Sequence, residues 1–159
     1  MILNRDKKPY SNWFQKVCAN MGTQETILNE RRLRLFAGRR ILICEDSKLN
    51  QLLMRKLLQR AGFKVDVASN GAEGVAYAAR YDYAAILMDI IMPVMNGLEA
   101  TKKIHELRPA VPVAALTGAT DILEIQKCME AGLVDYLSKP VDPVALFKML
   151  ELFLSDKVM

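Results

Sequence analysis

The residues of this chain that are best suited to chemistry stand where apolar runs stop. Glu45 and Asp46 follow "RILIC", and Asp89 follows "YAAILM". A hydroxyl residue, Thr117, comes after "VPVAAL", and an ammonium residue, Lys139, comes shortly after "VDYL". Three neighbouring carboxylates would repel one another without a cation among them, and an all-oxygen ligand set suits a hard divalent ion such as Mg²⁺. The sequence therefore predicts a magnesium site if the fold brings these positions together.

The lysine and the threonine would then face an anion beside the metal. A phosphoryl group fits this set best, because the metal and Lys139 would neutralise its oxygens while a carboxylate acts as the nucleophile. The chemistry that the residue types indicate is thus phosphoryl transfer onto a carboxylate.

Five short aliphatic runs, bounded by turn-forming residues, must position these side chains as strands. They cover residues 40–44, 63–68, 83–88, 111–116 and 134–137. Helical patterns separate them, with starts indicated at Ser47, at Asn70, at Gly97, at Thr120 or Asp121, and at Asp142 with Pro143.

The strands and helices alternate as (βα) five times. This order predicts a doubly wound α/β fold with a parallel five-stranded sheet, because each right-handed crossover needs a helix to return the chain to the same sheet edge. Ligands of such folds bind at the carboxyl ends of the strands. All the candidate residues follow strands, so one common site is expected.

Taken together, "ILICEDSKLNQ", "ILMDIIMPVMNGLEAT", "ALTGA" and "DYLSKP" resemble the response-regulator receiver domain of two-component signalling, in the variety fused to hybrid sensor histidine kinases. The resemblance covers about residues 39–155 and implies a flavodoxin-like strand order 2-1-3-4-5. We therefore expect residues 39–156 to form a receiver domain and residues 1–38 a basic, helical extension or linker.

The resemblance also implies a role for each matched residue. Asp89 would be the phosphoacceptor, taking a phosphoryl group from a phosphohistidine on a partner. Glu45 and Asp46 would hold Mg²⁺ together with Asp89 and the backbone carbonyl of Ile91. Thr117 would bond one phosphoryl oxygen.

Further positions follow the same pattern. Lys139 would pair with another phosphoryl oxygen, and its peptide bond to Pro140 would be cis. Tyr136 matches the aromatic switch position, whose ring turns inward as the threonine moves towards the phosphoryl group. Pro93 and Gly97 would shape the loop after the nucleophile.

Two matched positions concern the lifetime of the phosphoryl group. They lie two residues beyond the phosphoacceptor and two beyond the threonine, and here they are Ile91 and Ala119. Neither side chain can orient an attacking water, so we expect slow hydrolysis. Gly118 departs from the alanine that often follows the threonine, but both residues are small enough to leave access to the phosphoryl group open.

Several classes of function are excluded or disfavoured. The three cysteines are far apart and form no Cys-x-x-Cys pair, which argues against a zinc site. The single histidine, His105, lies in a helical pattern among basic residues and is expected on a solvated face. No glycine-rich nucleotide loop of the P-loop kind is present, so the chain is not a complete histidine kinase.

Charge is distributed unevenly. Residues 1–40 contain nine Lys/Arg and three Asp/Glu, whereas residues 41–159 contain thirteen and fifteen. A helix is expected from about Thr23 to Ala37, ended by Gly38. Its arginines could meet nucleic acid, a membrane surface or an acidic partner, but a solvated linker helix is favoured, and no direct nucleic-acid binding is expected.

The expected partner is a histidine kinase or a histidine phosphotransfer protein, and a homodimer could form through the fourth helix, fifth strand and fifth helix of the repeat. No run approaches the roughly 20 apolar residues that span a bilayer, so no membrane insertion and a cytoplasmic location are expected. A second class stays open, in which the fold is a docking module that acts independently of phosphorylation at Asp89.

Overall fold

In this computed structural model the structure describes residue 19 and residues 22–118 and 122–155. A first helix precedes five repeats of strand and helix. The bounds of the elements in chain order are α1 Gln24–Leu33, β1 Arg40–Cys44, α2 Lys48–Arg60, β2 Lys64–Ala68, α3 Gly71–Arg80, β3 Ala85–Asp89, α4 Gly97–Leu107, β4 Val113–Thr117, α5 Ile122–Glu130, β5 Asp135–Ser138 and α6 Pro143–Ser155. The (βα)5 prediction is confirmed.

The five strands form one parallel sheet in the order β2-β1-β3-β4-β5, as predicted. Every residue of β3 and β4 is buried, which fits central strands covered on both faces. The strand β2 lies at one edge and is only partly buried. Because all strands run in the same direction, their carboxyl ends share one side of the sheet.

Three strands are displaced from their predicted bounds. Pairing of β3 begins at Ala85, opposite Ile41, and continues to Asp89, opposite Leu116. Asp89 is thus the last residue of its strand, and the prediction that placed it one residue beyond was wrong. Similarly, β4 ends at Thr117 and β5 at Ser138, because these two residues pair with each other. Apolar runs mark where a strand is buried, whereas backbone pairing sets where it ends.

Side-chain caps fix where the helices begin. The side chains of Ser47, Asn70 and Asn96 accept hydrogen bonds from backbone N–H groups in the first turns of α2, α3 and α4. The Asp142 carboxylate accepts one from Ala145 N at 3.1 Å, at the start of α6. The caps predicted at Ser47, Asn70 and Asp142 are confirmed, while the cap predicted at Thr120 or Asp121 lies outside the described residues.

Two apolar layers hold the helices against the sheet. One lies between the sheet and α2 with α6, and its largest fully buried side chain is Phe147. The other lies on the opposite face beneath α3, α4 and α5 and includes Met88 and Ile104. With helices on both faces, the strand ends are the part of the sheet that remains accessible to a ligand.

The helix α1 is confirmed, with Thr23 as its cap, and a 3₁₀ turn at Arg34–Phe36 follows it. It packs against α6, and Leu33 and Phe36 belong to the same buried cluster as Leu57 and Phe147. The expectation of a solvated linker helix was therefore wrong. Leu33 is fully buried, so this helix is part of the packed body.

No helix in the described part of the chain is both long and apolar enough to cross a membrane.

Candidate functional site

Three carboxylates meet at the carboxyl edge of the sheet. Glu45 and Asp46 follow β1, and Asp89 ends β3, the neighbouring strand. Each of the three offers an oxygen atom that lies within 4.8 Å of the other two. Glu45 and Asp89 are 1% and 4% exposed, whereas Asp46 is exposed. The sequence therefore predicted correctly which acids converge.

Lys139 is the cation that the fold places against two of these acids. Its Nζ lies 2.8 Å from Asp89 Oδ2 and 2.9 Å from Glu45 Oε2. The backbone N–H of Lys139 donates to Thr117 O at 2.8 Å, which ties the end of β5 to the end of β4. The Lys139–Pro140 peptide bond is cis, as the resemblance implied.

The shared environment changes how these groups hold protons. Burial raises the pKa of the Glu45 carboxyl above its ordinary value, although the contact with Lys139 opposes that shift. Burial alone would lower the pKa of Lys139, but its hydrogen bonds to Asp89 and Glu45 outweigh burial, so the pKa is raised. Lys139 is therefore held in its charged form beside the nucleophile candidate.

The charges do not balance without a further cation. Three ionised carboxylates carry three negative charges, and Lys139 compensates only one of them. A divalent ion would neutralise the remaining two, and the donor set consists of oxygen atoms alone, as Mg²⁺ prefers. Glu45, Asp46 and Asp89 thus fit a magnesium ion, with the accessible Asp46 marking the side that is open to solvent.

A cleft of about 350 Å³ opens beside the carboxylates. Its lining comes from the ends of β1, β3, β4 and β5 and from the start of α2. The lining residues are Glu45, Asp46, Ser47, Asn50, Asp89, Ile90, Ile91, Leu116, Thr117, Gly118 and Lys139. The positions predicted for the metal and for the phosphoryl oxygens therefore line one cavity.

The loop after Asp89 holds the Asp89 carboxylate in one orientation. The backbone N–H of Ile91 donates to Asp89 Oδ1 at 3.2 Å, so Asp89 Oδ1 and Oδ2 both have donors. Gly97 lies so close that an added Cβ would overlap the backbone of Asp89 and Ile90. Val94 has φ 68°, a conformation that a β-branched residue rarely adopts. This loop is therefore tightly constrained next to the Asp89 carboxylate.

Thr117 and Tyr136 lie on adjacent strands beside the cleft. Thr117 is 7% exposed at the end of β4, and Tyr136 is 38% exposed on β5. Tyr136 pairs with Ala115, and Thr117 pairs with Ser138, so the two predicted switch residues are offset by two positions on neighbouring strands. Gly118, next to Thr117, has open space where a side chain would be.

Gln51 is a site residue that sequence reasoning missed. It is 8% exposed, and its Nε2 donates to the backbone carbonyl of Glu45 at 2.5 Å and to Ser69 Oγ at 3.2 Å. The backbone N–H of Ser47 donates to Glu45 Oε1 at 3.1 Å and holds the other end of the glutamate. A polar residue on the apolar side of α2, one turn after the cap, was the available signal.

Comparisons with known proteins agree with this geometry. The sequence model of the response regulator receiver domain family matches residues 41–151. The chain is 43% identical over 101 residues to two-component response regulator 24 of Arabidopsis thaliana, covering 63% of this chain and 73% of the relative. It is 32% identical over 120 residues to hybrid signal transduction histidine kinase I of Dictyostelium discoideum, covering 70% of this chain but only 7% of that kinase.

Two solved structures show the same fold. One is the receiver domain of a sensor histidine kinase from Pseudomonas aeruginosa with a magnesium ion coordinated in its active-site cleft, at a TM-score of 0.70 and 36% identity, covering 75% of this chain and 99% of that one. The other is the receiver domain of the response regulator Ssk1 from Saccharomyces cerevisiae in complex with the histidine phosphotransfer protein Ypd1, at a TM-score of 0.73 and 27% identity, covering 77% and 93%.

Proposed function

Because this chain belongs to the response regulator receiver domain family of two-component and phosphorelay signalling, we propose that Asp89 is its phosphoacceptor. The observation that carries the proposal is the arrangement of Asp89, which lies within 4.8 Å of two further acids and 2.8 Å from Lys139 Nζ. A buried carboxylate between a metal site and an ammonium group is placed to attack a phosphorus atom.

The reaction is a transfer between two side chains. A carboxylate oxygen of Asp89 forms a bond to phosphorus while the bond from phosphorus to the histidine nitrogen of the donor breaks, and the electron pair stays on the donor imidazole. Magnesium, when bound by Glu45, Asp46, Asp89 and the Ile91 carbonyl, supplies positive charge to the phosphoryl oxygens. Lys139, whose Nζ lies 2.8 Å from Asp89 Oδ2, would supply a second positive charge.

Lys139 and Thr117 would then hold the product. Asp89 Oδ2 accepts from Lys139 in this structure, and a phosphoryl group on Asp89 would offer the lysine a more highly charged acceptor. The Thr117 hydroxyl would bond another phosphoryl oxygen. To reach that oxygen, Thr117 would move towards Asp89 and leave room for the Tyr136 ring, now 38% exposed, to turn inward. Phosphorylation would thus shift the population from the conformation with Tyr136 outward to the one with Tyr136 inward.

The acyl phosphate is expected to persist. Ile91 is 82% exposed beside the cleft and carries no group that could orient a water molecule, whereas Ala119, the second position in question, lies outside the described residues. We therefore expect slow hydrolysis. A half-life of only seconds with Mg²⁺ present would contradict this part of the proposal.

The donor would be a phosphohistidine on a histidine kinase or on a histidine phosphotransfer protein. The complex of such a transfer protein with a receiver domain of the same fold supports this class of partner. The likeness to a response regulator, covered over 73% of its length, supports a free-standing regulator, and the likeness to hybrid kinases supports the receiver portion of a larger protein; both forms belong to the proposal. Homodimerisation through α5, β5 and α6 is a further proposal; Met129 and Tyr136 are exposed there, while Phe147 belongs to the core.

The experiment is incubation of the full chain with acetyl phosphate, with and without Mg²⁺, followed by intact mass spectrometry. The wild type should gain one phosphate only when Mg²⁺ is present, and Asp89→Asn should gain none. Asp82→Asn is a matched control, because Asp82 is an exposed aspartate that pairs with Arg108 outside the cleft. It should be labelled like the wild type.

Failure of the wild type to gain phosphate, under conditions that label a known receiver domain, would overturn the proposal. That result would favour the alternative class, a docking module that works without phosphorylation. Labelling of Asp89→Asn at the wild-type level would instead show that another residue is the acceptor.

A further inference from the structure

Several polar residues of the helix α1 are buried against the body of the protein instead of facing solvent. Thr26, Asn29 and Glu30 face the body of the protein and are 1%, 3% and 7% exposed, with Leu33 fully buried beside them. Asn29 Nδ2 is buried without a hydrogen-bond partner among the described residues. A helix selected only to cover a core would place apolar side chains there. The polar residues that solubilise a surface helix are thus used on the inside.

Three apolar residues of this segment face outward, although Leu33 and Phe36 are buried. Ile27, Leu28 and Leu35 are 38%, 51% and 86% exposed, the last in the 3₁₀ turn that continues the helix. Arg31 lies four residues from both Ile27 and Leu35, and Arg32 lies four residues from Leu28, so all five share one side of the helix. This set, called here the outer face of α1, combines apolar and cationic side chains, and the exposed acid beside it, Glu25, pairs with Lys148 at 2.9 Å.

Further cations surround this face. Arg34 and Arg60 lie 3.5 and 3.3 Å from Glu30, and both are largely exposed, so one carboxylate serves two guanidinium groups. Arg39 stands over the Phe36 ring at 5.3 Å from its centroid, and its backbone bonds to Lys64. The end of the domain near α1 therefore carries a clear excess of positive charge, opposite in sign to the cleft.

The combination of apolar and cationic side chains on the outer face of α1 restricts the chemistry of a partner that could bind there. A protein partner could not surround the whole of α1, because α6 already covers its inner face. Nucleic acid would match the arginines but would leave Leu28 and Leu35 against phosphates. An anionic lipid surface suits both the arginines and the exposed leucines. The cations lie among the headgroups, while the apolar side chains enter the boundary of the acyl chains.

We infer that the outer face of α1 is a peripheral docking surface for an anionic lipid bilayer. The helix stays packed on α6 and adsorbs through one side, without crossing the membrane. Two arginines should contribute about 30-fold to partitioning, the equivalent of roughly 1 kcal/mol for each basic residue near an anionic surface. The contribution should weaken as salt screens the charges.

The test is co-sedimentation of the full chain with vesicles of pure phosphatidylcholine or of phosphatidylcholine with one third phosphatidylserine, at low and at raised salt. The wild type should sediment only with the anionic vesicles. Arg31→Gln with Arg32→Gln should lower the partition coefficient about 30-fold, whereas Lys102→Gln with Lys103→Gln, an equal loss of exposed charge on α4, should lower it only slightly.

The apolar contribution has its own pair of variants. Leu28→Gln should weaken binding at both salt concentrations, while Leu107→Gln should not, although both leucines are 51% exposed. Each variant should keep the circular dichroism spectrum of the wild type. Equal sedimentation with both kinds of vesicle, or equal effects of the outer-face and control variants, would overturn the inference. Tighter binding to a duplex oligonucleotide than to anionic vesicles at the same salt would also overturn it.

Discussion

The two ends of the sheet hold charge in opposite ways. At the carboxyl end, Glu45 and Asp89 are almost fully buried within reach of each other and of Lys139. At the amino end, Arg34 and Arg60 are exposed to solvent and share one carboxylate. Burying like charges together costs free energy, so the acidic cluster requires a cation. The exposed arginines are screened by water, so they are stable without a partner but can bind one.

The buried acids of the carboxyl end need a cation among them, and a solved receiver domain of similar sequence holds a magnesium ion in its cleft. The amino end presents exposed cations beside apolar side chains, which need no ligand to be stable. Changes at each end should therefore alter stability and binding separately, and the following predictions test that separation.

The largest effect on stability is expected at α1. Leu33 is fully buried among core side chains, so Leu33→Ala should lower the free energy of unfolding by about 2–5 kcal/mol through lost burial and a cavity. Leu28→Ala, at a half-exposed position of the same helix, should change it by less than about 0.5 kcal/mol. Urea denaturation followed by circular dichroism would measure both. Equal, small effects would mean that α1 is not part of the cooperative fold.

The next effect concerns Mg²⁺ and the carboxyl end. At a concentration 100 times its dissociation constant, Mg²⁺ should raise the free energy of unfolding of the wild type by about 2.7 kcal/mol. Asp46→Asn should remove most of this gain, because it deletes the accessible carboxylate of the cluster. Arg31→Gln should leave the gain unchanged. Thermal denaturation with and without Mg²⁺ would measure this gain in stability. If Asp46→Asn gained as much stability from Mg²⁺ as the wild type, the ion would bind elsewhere.

A smaller effect is expected at alkaline pH. The pKa of Lys139 is raised in the folded state, so its ion pairs stabilise the fold below the unfolded-state pKa and are lost as pH rises through the folded-state value. Between neutral and strongly alkaline pH, the wild type should lose on the order of 1 kcal/mol more stability than Lys139→Met. Lys148→Met, which removes an exposed pair with Glu25, should follow the wild type. A wild-type loss no larger than that of Lys139→Met would contradict this.

The smallest effect is expected in the loop after Asp89. Val94 has φ 68°, which costs a β-branched residue about 1–2 kcal/mol, while glycine adopts this conformation freely but orders at a higher entropic cost. Val94→Gly should therefore stabilise the protein by at most about 1 kcal/mol. Val134→Gly, at an exposed position without positive φ, should destabilise it. The same sign for both variants would argue against strain at Val94.

The carboxyl end could be predicted from the sequence because its residues follow apolar runs, and parallel strands bring such positions to one edge. The five repeats and the convergence of Glu45, Asp46, Asp89 and Lys139 were obtained in this way, whereas the strand order was implied by the resemblance to the receiver family. Strand bounds were less accurate, because backbone pairing continues beyond the apolar residues. Gln51 was missed, although its place on the apolar side of α2 one turn after the cap marks it as unusual, because the partner of its side chain depends on loop geometry.

The packing of α1 could not be predicted for a different reason. Its inner face combines Thr26, Asn29 and Glu30 with the buried Leu33, and its outer face carries Ile27 and Leu28, so the apolar pattern alone does not show which side is covered. Only tertiary contact with α6 shows which side is covered. The orientation of a helix with buried polar residues and exposed apolar residues cannot be predicted from its apolar pattern. Such a mismatch indicates that the exposed apolar surface has a binding role.

The most direct test of the central claim is to locate the phosphoryl group on the chain. Borohydride reduces an acyl phosphate on aspartate to homoserine, which peptide mass spectrometry can assign to one residue. After incubation with acetyl phosphate and Mg²⁺, the account predicts homoserine at Asp89 and unmodified Glu45 and Asp46. Reduction at either of those two residues, or an unmodified residue 89 in a chain that has gained phosphate, would contradict it.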